Sequence, residues 1–141
     1  MKNTDVLILG SSAAGMATAV SGKNNYPEKD FLVLRREEKL MVPCGIPYIF
    51  GSLESSDQNV LPADNKYDAM GINHQVGEVE EINREAQVCR LTDGEKIHYE
   101  KLVLATGSTT HVPDWLEGKD LENVFTIPKV KDILEKKKKK L

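Results

Sequence analysis

The clearest hydrophobic pattern lies near the start of the chain and predicts a strand, a helix and a second strand. Residues 6–9 form an unbroken apolar run, which is typical of a strand buried on both faces of a parallel sheet. Small residues dominate positions 13–19 and predict a helix that packs closely on that sheet. A second apolar run follows at residues 31–34, after a turn around Pro27. We therefore predict a βαβ unit over residues 4–35.

The second half of the chain changes to short strand-like runs separated by turn residues. The three runs are residues 74–82, 86–91 and 96–99, with turns at residues 83–85 and 92–95. They predict an antiparallel meander over residues 74–100, followed by a buried parallel strand at residues 102–105. The whole pattern predicts an α/β fold, in which a Rossmann-like parallel sheet carries a small antiparallel β-meander.

The turn between the first predicted strand and the helix, Gly10-Ser11-Ser12-Ala13-Ala14-Gly15, has residues of the right size to hold a phosphate. Gly10 permits a tight turn, and Gly15 lets the helix pack close to the strand. The small residues between them let backbone N–H groups approach a pyrophosphate. A turn with a purely structural role is the alternative, because Ser12 replaces the middle glycine of the G-x-G-x-x-G pattern. We interpret this turn as a dinucleotide site.

Four charged residues follow the second predicted strand and depart from the dinucleotide pattern. An acid that binds ribose is expected about 20 residues beyond the last glycine, but Arg35 and Arg36 stand there, and Glu37 and Glu38 follow. One glutamate could reach the ribose hydroxyls, or Arg35 could bind a phosphate, as an arginine does for the 2′-phosphate of NADP. A solvated turn is the third interpretation.

The segment Val42-Pro43-Cys44-Gly45-Ile46-Pro47-Tyr48 places a thiol beside a predicted helix start. Pro47 suits the first turn of a helix, where its missing N–H is not needed. A helix N-terminus favours the thiolate, which is the form that attacks disulfides. A cysteine can also be a small core residue, and this is our interpretation of Cys89, which lies in a strand pattern. A structural disulfide between the two is not expected.

The motifs resemble those of the FAD- and NAD(P)H-dependent disulfide reductases with one redox cysteine, namely the coenzyme A-disulfide reductases and the related NADH oxidases and peroxidases. The similarity covers nearly the whole chain and keeps the order of the motifs. The similar segments are residues 6–19, 26–28, 43–48, 71–72, 77–82 and 99–108. Cys-Gly-Ile-Pro-Tyr combined with Ala-Thr-Gly-Ser is far more specific than the glycine turn alone.

The resemblance implies a role for each motif. Cys44 would lie by the flavin and cycle between thiolate and a mixed disulfide or sulfenate. Lys23 corresponds loosely to a basic residue that binds substrate phosphates in the coenzyme A reductases. The expected FAD-binding residues are Gly10, Ser12, Ala13, Ala14 and Gly15 at the pyrophosphate, Val79 at the adenine, Ala105, Thr106 and Gly107 where the chain crosses the cofactor, and Arg35 in place of the ribose acid.

Composition narrows the function classes. The 141 residues are 40% hydrophobic and carry a net charge of −3, which suits one compact core. The chain has no long apolar run and no secretory segment, so we expect a cytoplasmic protein that does not bind membranes. Nucleic-acid binding through the terminal lysines is a third, weaker hypothesis that the acidic balance opposes. His74, His98 and His111 show no metal-ligand spacing with the cysteines, so no metal is expected.

We interpret residues 1–127 as the first, incomplete segment of an FAD-binding domain, and residues 128–141 as a linker helix with a lysine-rich tail. The family's NAD(P)H domain, a later strand that closes the FAD site and a dimerisation domain would follow. The expected partners are a second copy of the chain, in a homodimer, or a protein that supplies the missing domains. The lysine run at residues 136–140 is either a solvated tail or the result of a frameshift on a slippery lysine-codon tract.

The sequence supports two hypotheses on function. The first is part of an FAD-dependent oxidoreductase, which passes electrons from NAD(P)H through FAD and Cys44 to a small disulfide such as coenzyme A disulfide, or to oxygen or peroxide. The second is a non-catalytic remnant or adaptor that keeps the fold and binds flavin poorly. Arg35 at the place of the ribose acid favours the second, and the combination of Cys44 with the glycine turn favours the first.

Overall fold

The computed structural model describes residues 1–122, Val124 and Thr126, so the predicted linker helix and lysine-rich tail lie outside the described residues. The chain forms two compact units. The first unit comprises Met1–Leu40 and Leu61–Gly107, and the second comprises Met41–Val60 together with the described residues after Gly107. No helix in the described part of the chain has the length and apolar character needed to cross a membrane.

A mixed sheet of six strands, counted over the described residues, forms the first unit and confirms the predicted α/β fold class. Its spatial order is β3-β2-β1-β6-β5-β4. Strands β3, β2, β1 and β6 are parallel, whereas β4, β5 and β6 form the antiparallel meander. The strands are β1 Lys2–Leu9, β2 Phe31–Arg35, β3 Asn73–Val76, β4 Val79–Asn83, β5 Val88–Leu91 and β6 Lys96–Leu104.

Alternating side chains of the buried strands form two cores, because successive residues of a strand point to opposite faces. On one face Ile8 and Val33 pack with residues of helices α1 (Ala13–Asn25) and α2 (Ala63–Met70). On the other face Leu7 and Leu32 share a core with Cys89 of the meander. Both faces of β1 and β2 are therefore buried, as their continuous apolar runs predicted.

The boundaries of three predicted elements were wrong. The predicted strand over residues 74–82 is broken at Gly77, so that β3 pairs parallel with β2 and the meander begins only at β4. A β-carbon at Gly77 would lie 3.1 Å from Leu91 Cδ1 and 3.2 Å from Leu34 Cδ1, which leaves little room for a side chain at this bend. The runs at residues 96–99 and 102–105 form one strand, β6, which pairs antiparallel with β5 and parallel with β1.

The second unit contains the Cys44 segment. A 3₁₀ helix spans Pro43–Phe50 and another spans Ser56–Asn59. Pro43 occupies the start of the first helix and Pro47 lies inside it, whereas the sequence suggested that Pro47 begins a helix. Pro43 suits this start, because its missing N–H is not needed in a first turn. Cys44 still lies in that first turn.

Candidate active site

The carboxyl ends of β1, β2 and β6 meet at one edge of the sheet, because these strands are parallel. A cavity of about 230 Å³ opens there, which we call the strand-end cleft. Open α/β sheets bind ligands at this position. Its lining comprises Leu9, Gly10, Leu34, Arg35, Arg36, Glu37, Gly77, Glu78, Val79 and Thr106.

Two glycines of the turn after β1 are required by close backbone packing. Gly10 has a φ of +105°, and a β-carbon there would overlap the carbonyl oxygen of Ala105. A β-carbon at Gly15 would in turn overlap the carbonyl oxygen of Gly10. The Ala105 N–H also donates to the Leu9 carbonyl at 2.8 Å. The glycine turn, the start of α1 and the segment after β6 are thus packed backbone against backbone, and their role in binding FAD stays a prediction.

The start of helix α1 has the features of an anion site. Ser12 is its N-cap residue, and the Ser12 side chain makes no capping hydrogen bond. The first turn carries no acidic side chain, and Ser12, Ala13 and Ala14 are exposed. The first N–H groups of a helix have no partner within it, and they carry the positive end of the helix dipole. These donors are suited to a pyrophosphate.

Arg35 is not available for a ligand phosphate in this structure, contrary to one of the three interpretations. Its side chain is only 5% exposed, and both terminal nitrogens donate to the carboxylate of Asp64. Its remaining bonds go to the carbonyl oxygens of Glu37 at 2.9 Å and Glu38 at 3.2 Å. A bidentate arginine–carboxylate pair is strong and geometrically specific. Although Arg35 lines the cleft, its charge is already paired.

The Arg35 guanidinium, through its hydrogen bonds, holds the pKa of Asp64 below the ordinary value of 3.8, and the nearby His74 acts in the same direction. A lowered folded pKa contributes stability that is present above the unfolded pKa and is lost as the pH falls through the folded value. We therefore expect Asp64→Asn to lower the free energy of unfolding by roughly 1–2 kcal/mol at neutral pH. Urea denaturation between pH 7 and pH 2.5 checks this: the difference from the unmodified chain should shrink below about pH 4. A difference that stays constant down to pH 2.5 would contradict the assignment.

The acidic groups of the cleft are glutamates, and none stands at position 35, where the dinucleotide pattern predicts an acid. Glu37 and Glu78 both line it, and Arg36 lies 3.2 Å from a Glu37 carboxylate oxygen and 4.0 Å from one of Glu78. The interpretation in which a glutamate reaches the ribose is therefore compatible with the structure, and it stays a prediction. Val79 and Thr106 line the same cleft, Ala105 touches the glycine turn, and Gly107 follows with a φ of +72°.

The sequence pattern did not predict helix α2 or its contacts with Ser11 of the glycine turn and with Arg35 of the cleft. Tyr67 is fully buried and its hydroxyl lies 2.7 Å from Ser11 Oγ. Burial raises the pKa of Tyr67, which keeps the phenol neutral. Asp64 lies one turn earlier on the same helix. An acidic residue at the helix start was the available signal, but its partner is 29 residues away in the sequence.

Cys44 is exposed, and the backbone around it is held by Asn59. The Val42 N–H donates to the Asn59 carbonyl at 3.0 Å, while Asn59 Nδ2 donates to the Val42 carbonyl at 3.0 Å. A β-carbon at Gly45 would overlap the Asn59 side-chain oxygen, so a larger residue after Cys44 would displace the Asn59 amide. This arrangement fixes the residues on both sides of the thiol.

The other two residues singled out by the sequence have structural surroundings. Cys89 is fully buried, and burial raises the pKa of its thiol, in agreement with the interpretation as a core residue. Lys23 Nζ donates to the carbonyl oxygens of Pro27 and Lys29, both at 2.9 Å. These bonds stabilise the turn between α1 and β2, and the suggested substrate role of Lys23 stays a prediction.

Comparison with known proteins identifies the family. Residues 4–141 match the family model described as pyridine nucleotide-disulphide oxidoreductase. An NADH oxidase of Methanocaldococcus jannaschii is 32% identical over 135 residues, which cover 89% of this chain and 30% of that protein. An NAD(P)H sulfur oxidoreductase (CoA-dependent) of Pyrococcus abyssi is 36% identical over 125 residues, covering 86% and 28%. The chain thus spans about three tenths of the length of these relatives.

Solved structures agree with this result at the level of the fold. An NAD-dependent persulfide reductase from A. fulgidus superposes with a TM-score of 0.77 at 21% identity, over 96% of this chain and 28% of that one. The NADH:rubredoxin oxidoreductase of Clostridium acetobutylicum gives 0.71 at 25% identity, over 99% and 37%. With the family match over nearly all its residues, the chain belongs to the pyridine nucleotide-disulphide oxidoreductases.

Proposed function

We propose that this chain is the FAD-binding part of an oxidoreductase that oxidises NAD(P)H and reduces a small disulfide, persulfide or oxygen species. Membership of the family implies FAD as the cofactor. The observation that carries the proposal is the packing of Gly10, Gly15 and Ala105 around an open helix start at the edge of the strand-end cleft. Because the relatives are much longer, the activity of a whole enzyme is part of this proposal, as are its cytoplasmic location and homodimer formation.

The described residues fit the adenosine diphosphate half of FAD. The exposed N–H groups at the start of α1 would hold the pyrophosphate. Glu37 offers a carboxylate for the ribose hydroxyls, and Val79 offers a half-buried apolar surface for the adenine. Ala105, Thr106 and Gly107 would pass beside the cofactor. When bound, FAD supplies the ability to accept an electron pair from NAD(P)H and to pass it on.

Cys44 is our candidate for the residue that reacts with the substrate. Its thiolate would attack one sulfur of a disulfide, so that the S–S bond breaks, a mixed disulfide forms and the other half leaves as a thiolate that takes up a proton. An electron pair from NAD(P)H would then cleave the mixed disulfide, releasing the second thiol and restoring the Cys44 thiolate. The printed names of the relatives favour coenzyme A-linked sulfur species or oxygen as acceptors.

A non-catalytic role is the second candidate, and the Arg35–Asp64 pair favours it. Position 35 offers a paired cation where a ribose-binding acid is expected, so affinity for a dinucleotide should be low. A protein of this kind would keep the fold without turnover. Cofactor binding separates the two candidates.

Titration with FAD, NADH and riboflavin tests the proposal. We expect flavin fluorescence to be quenched on FAD binding, with a dissociation constant lower than that for NADH. Riboflavin, which lacks the adenosine diphosphate half, should not bind, because the cleft is built for that half. Tighter binding of NADH than of FAD would overturn the cofactor assignment. Failure to bind FAD after refolding in its presence would favour the non-catalytic candidate.

A further inference from the structure

Helix α2 contacts two segments that border the strand-end cleft, the glycine turn and the end of β2, through residues on one of its faces. Tyr67 bonds to Ser11, which lies in the glycine turn after β1. Asp64 bonds to Arg35, the last residue of β2. Residues three apart on a helix are neighbours on its surface. A single helix therefore links the phosphate side of the cleft to the end of the neighbouring strand.

The Tyr67 contact fixes the glycine turn. Ser11 is 3% exposed and directly precedes Ser12, the N-cap of α1, so an anchor on Ser11 sets where the first N–H groups of the helix point. Both hydroxyls are out of contact with water, and loss of either one leaves the other without its partner in a dry site. Such a loss costs more than a hydrogen bond exposed to solvent.

The Asp64 contact determines the charge that the cleft presents. Arg35 lines the cleft, but its side chain donates two bonds to Asp64 and two to the carbonyl oxygens of Glu37 and Glu38. Without Asp64, the guanidinium would lose its counter-charge and could pair with a phosphate on the ligand. With Asp64 in place, a phosphate on the ligand gains little binding free energy from Arg35, because the guanidinium is already paired.

We propose that α2 determines both the affinity and the specificity of the strand-end cleft: Tyr67 positions the phosphate-binding turn, and Asp64 holds Arg35 so that the cleft prefers adenosine ribose without a 2′-phosphate. Tyr67 and Asp64 are positioning residues, because they act through Ser11 and Arg35. The inference rests on the proposed function, since it concerns the same nucleotide site.

The Asp64 part is tested with ADP-ribose and 2′-phospho-ADP-ribose, which differ only in the phosphate of interest. In the Asp64→Asn chain, the affinity for 2′-phospho-ADP-ribose relative to ADP-ribose should rise about tenfold. Asp68→Asn is the matched control, because Asp68 lies on the same helix and contacts His74 but not Arg35. Asp64→Glu keeps the carboxylate and should keep the original ratio. An unchanged ratio in a folded Asp64→Asn chain would overturn this part.

The Tyr67 part is tested with Tyr67→Phe, Ser11→Ala and the double variant. Each single change should weaken ADP-ribose binding about three- to tenfold and leave adenosine binding unchanged, because only the phosphate donors are displaced. The loss of binding free energy for ADP-ribose in the double variant should be smaller than the sum of the losses in the two single variants. Tyr99→Phe is the control, since it alters a buried tyrosine in the core on the other face of the sheet.

The outcomes separate the two proposals. If the unmodified chain binds neither FAD nor ADP-ribose, the proposed function fails and the α2 inference falls with it. If the unmodified chain binds both and the Tyr67 and Asp64 variants behave like their controls, the α2 inference alone is wrong. Should Asp64→Asn fail to fold, an Asp64→Glu chain with a changed ratio would also overturn the specificity role.

Discussion

A thiol reagent such as iodoacetamide should modify Cys44 at least about a thousandfold faster than Cys89 at neutral pH. Cys44 is exposed, whereas Cys89 is fully buried between β1, β2 and the meander, and burial raises its pKa. A core thiol reacts only when the surrounding structure opens, and opening free energies of core strands approach the global stability of about 5 kcal/mol or more. Mass spectrometry of each cysteine-containing peptide over time measures both rates.

Two controls accompany the labelling experiment. Unfolding the chain in guanidinium should bring the two rates within about tenfold of each other, because the difference comes from burial. Cys44→Ser should remove the fast reaction and leave the unfolding midpoint nearly unchanged. In a complete enzyme the same substitution should abolish disulfide reduction. Faster labelling of Cys89 in the folded chain would show that the assignment of the two thiols is wrong.

Substituting Gly15 by alanine should abolish dinucleotide binding and destabilise the first unit by about 3 kcal/mol or more. The added β-carbon would overlap the carbonyl oxygen of Gly10, and backbone atoms cannot rotate away as a side chain can. Alanine favours a helix over glycine by about 1 kcal/mol. A loss of stability in the Gly15→Ala chain would therefore come from the overlap and not from helix propensity. Urea denaturation and FAD titration measure the two effects.

Gly51 provides the matched control for this substitution. A β-carbon there meets no atom within 4 Å, and its φ of −136° is open to any residue. Gly51→Ala should therefore change the unfolding free energy by less than about 1 kcal/mol and leave FAD binding intact. A Gly15→Ala chain that binds FAD as tightly as the Gly51→Ala chain would refute the packing argument.

The parts of the fold that the sequence predicted are those set by local patterns. The continuous apolar runs of β1 and β2 predicted burial on both faces, and the small residues after Gly10 predicted where α1 begins. The missed features depend on contacts distant in the sequence. Residues 74–82 contain no turn residue apart from Gly77, and a single glycine does not show that β3 and β4 pair with different strands.

The same distinction applies to the candidate site. The glycine turn could be predicted because its chemistry lies in one short segment. Arg35 was ambiguous because its partner, Asp64, is 29 residues away on a short helix with a weak pattern. The hydrogen bond between Ser11 and Tyr67 joins residues that are 56 positions apart in the sequence. Serine and tyrosine occur in many environments, so neither residue indicates its partner. Such pairs are defined by the tertiary structure alone.

Strand β6 has a consequence for how the protein is made. It lies beside β1 in the middle of the sheet, and their pairing joins Lys2 to Ile97 and Leu9 to Leu104, 95 residues apart in each case. A ribosome adds residues one at a time, so β1 must wait for β6 with one edge unpaired while nearly the whole first unit is synthesised. Exposed strand edges favour pairing with other chains. Nascent chains halted before residue 104 should therefore depend on chaperones far more than chains released after it.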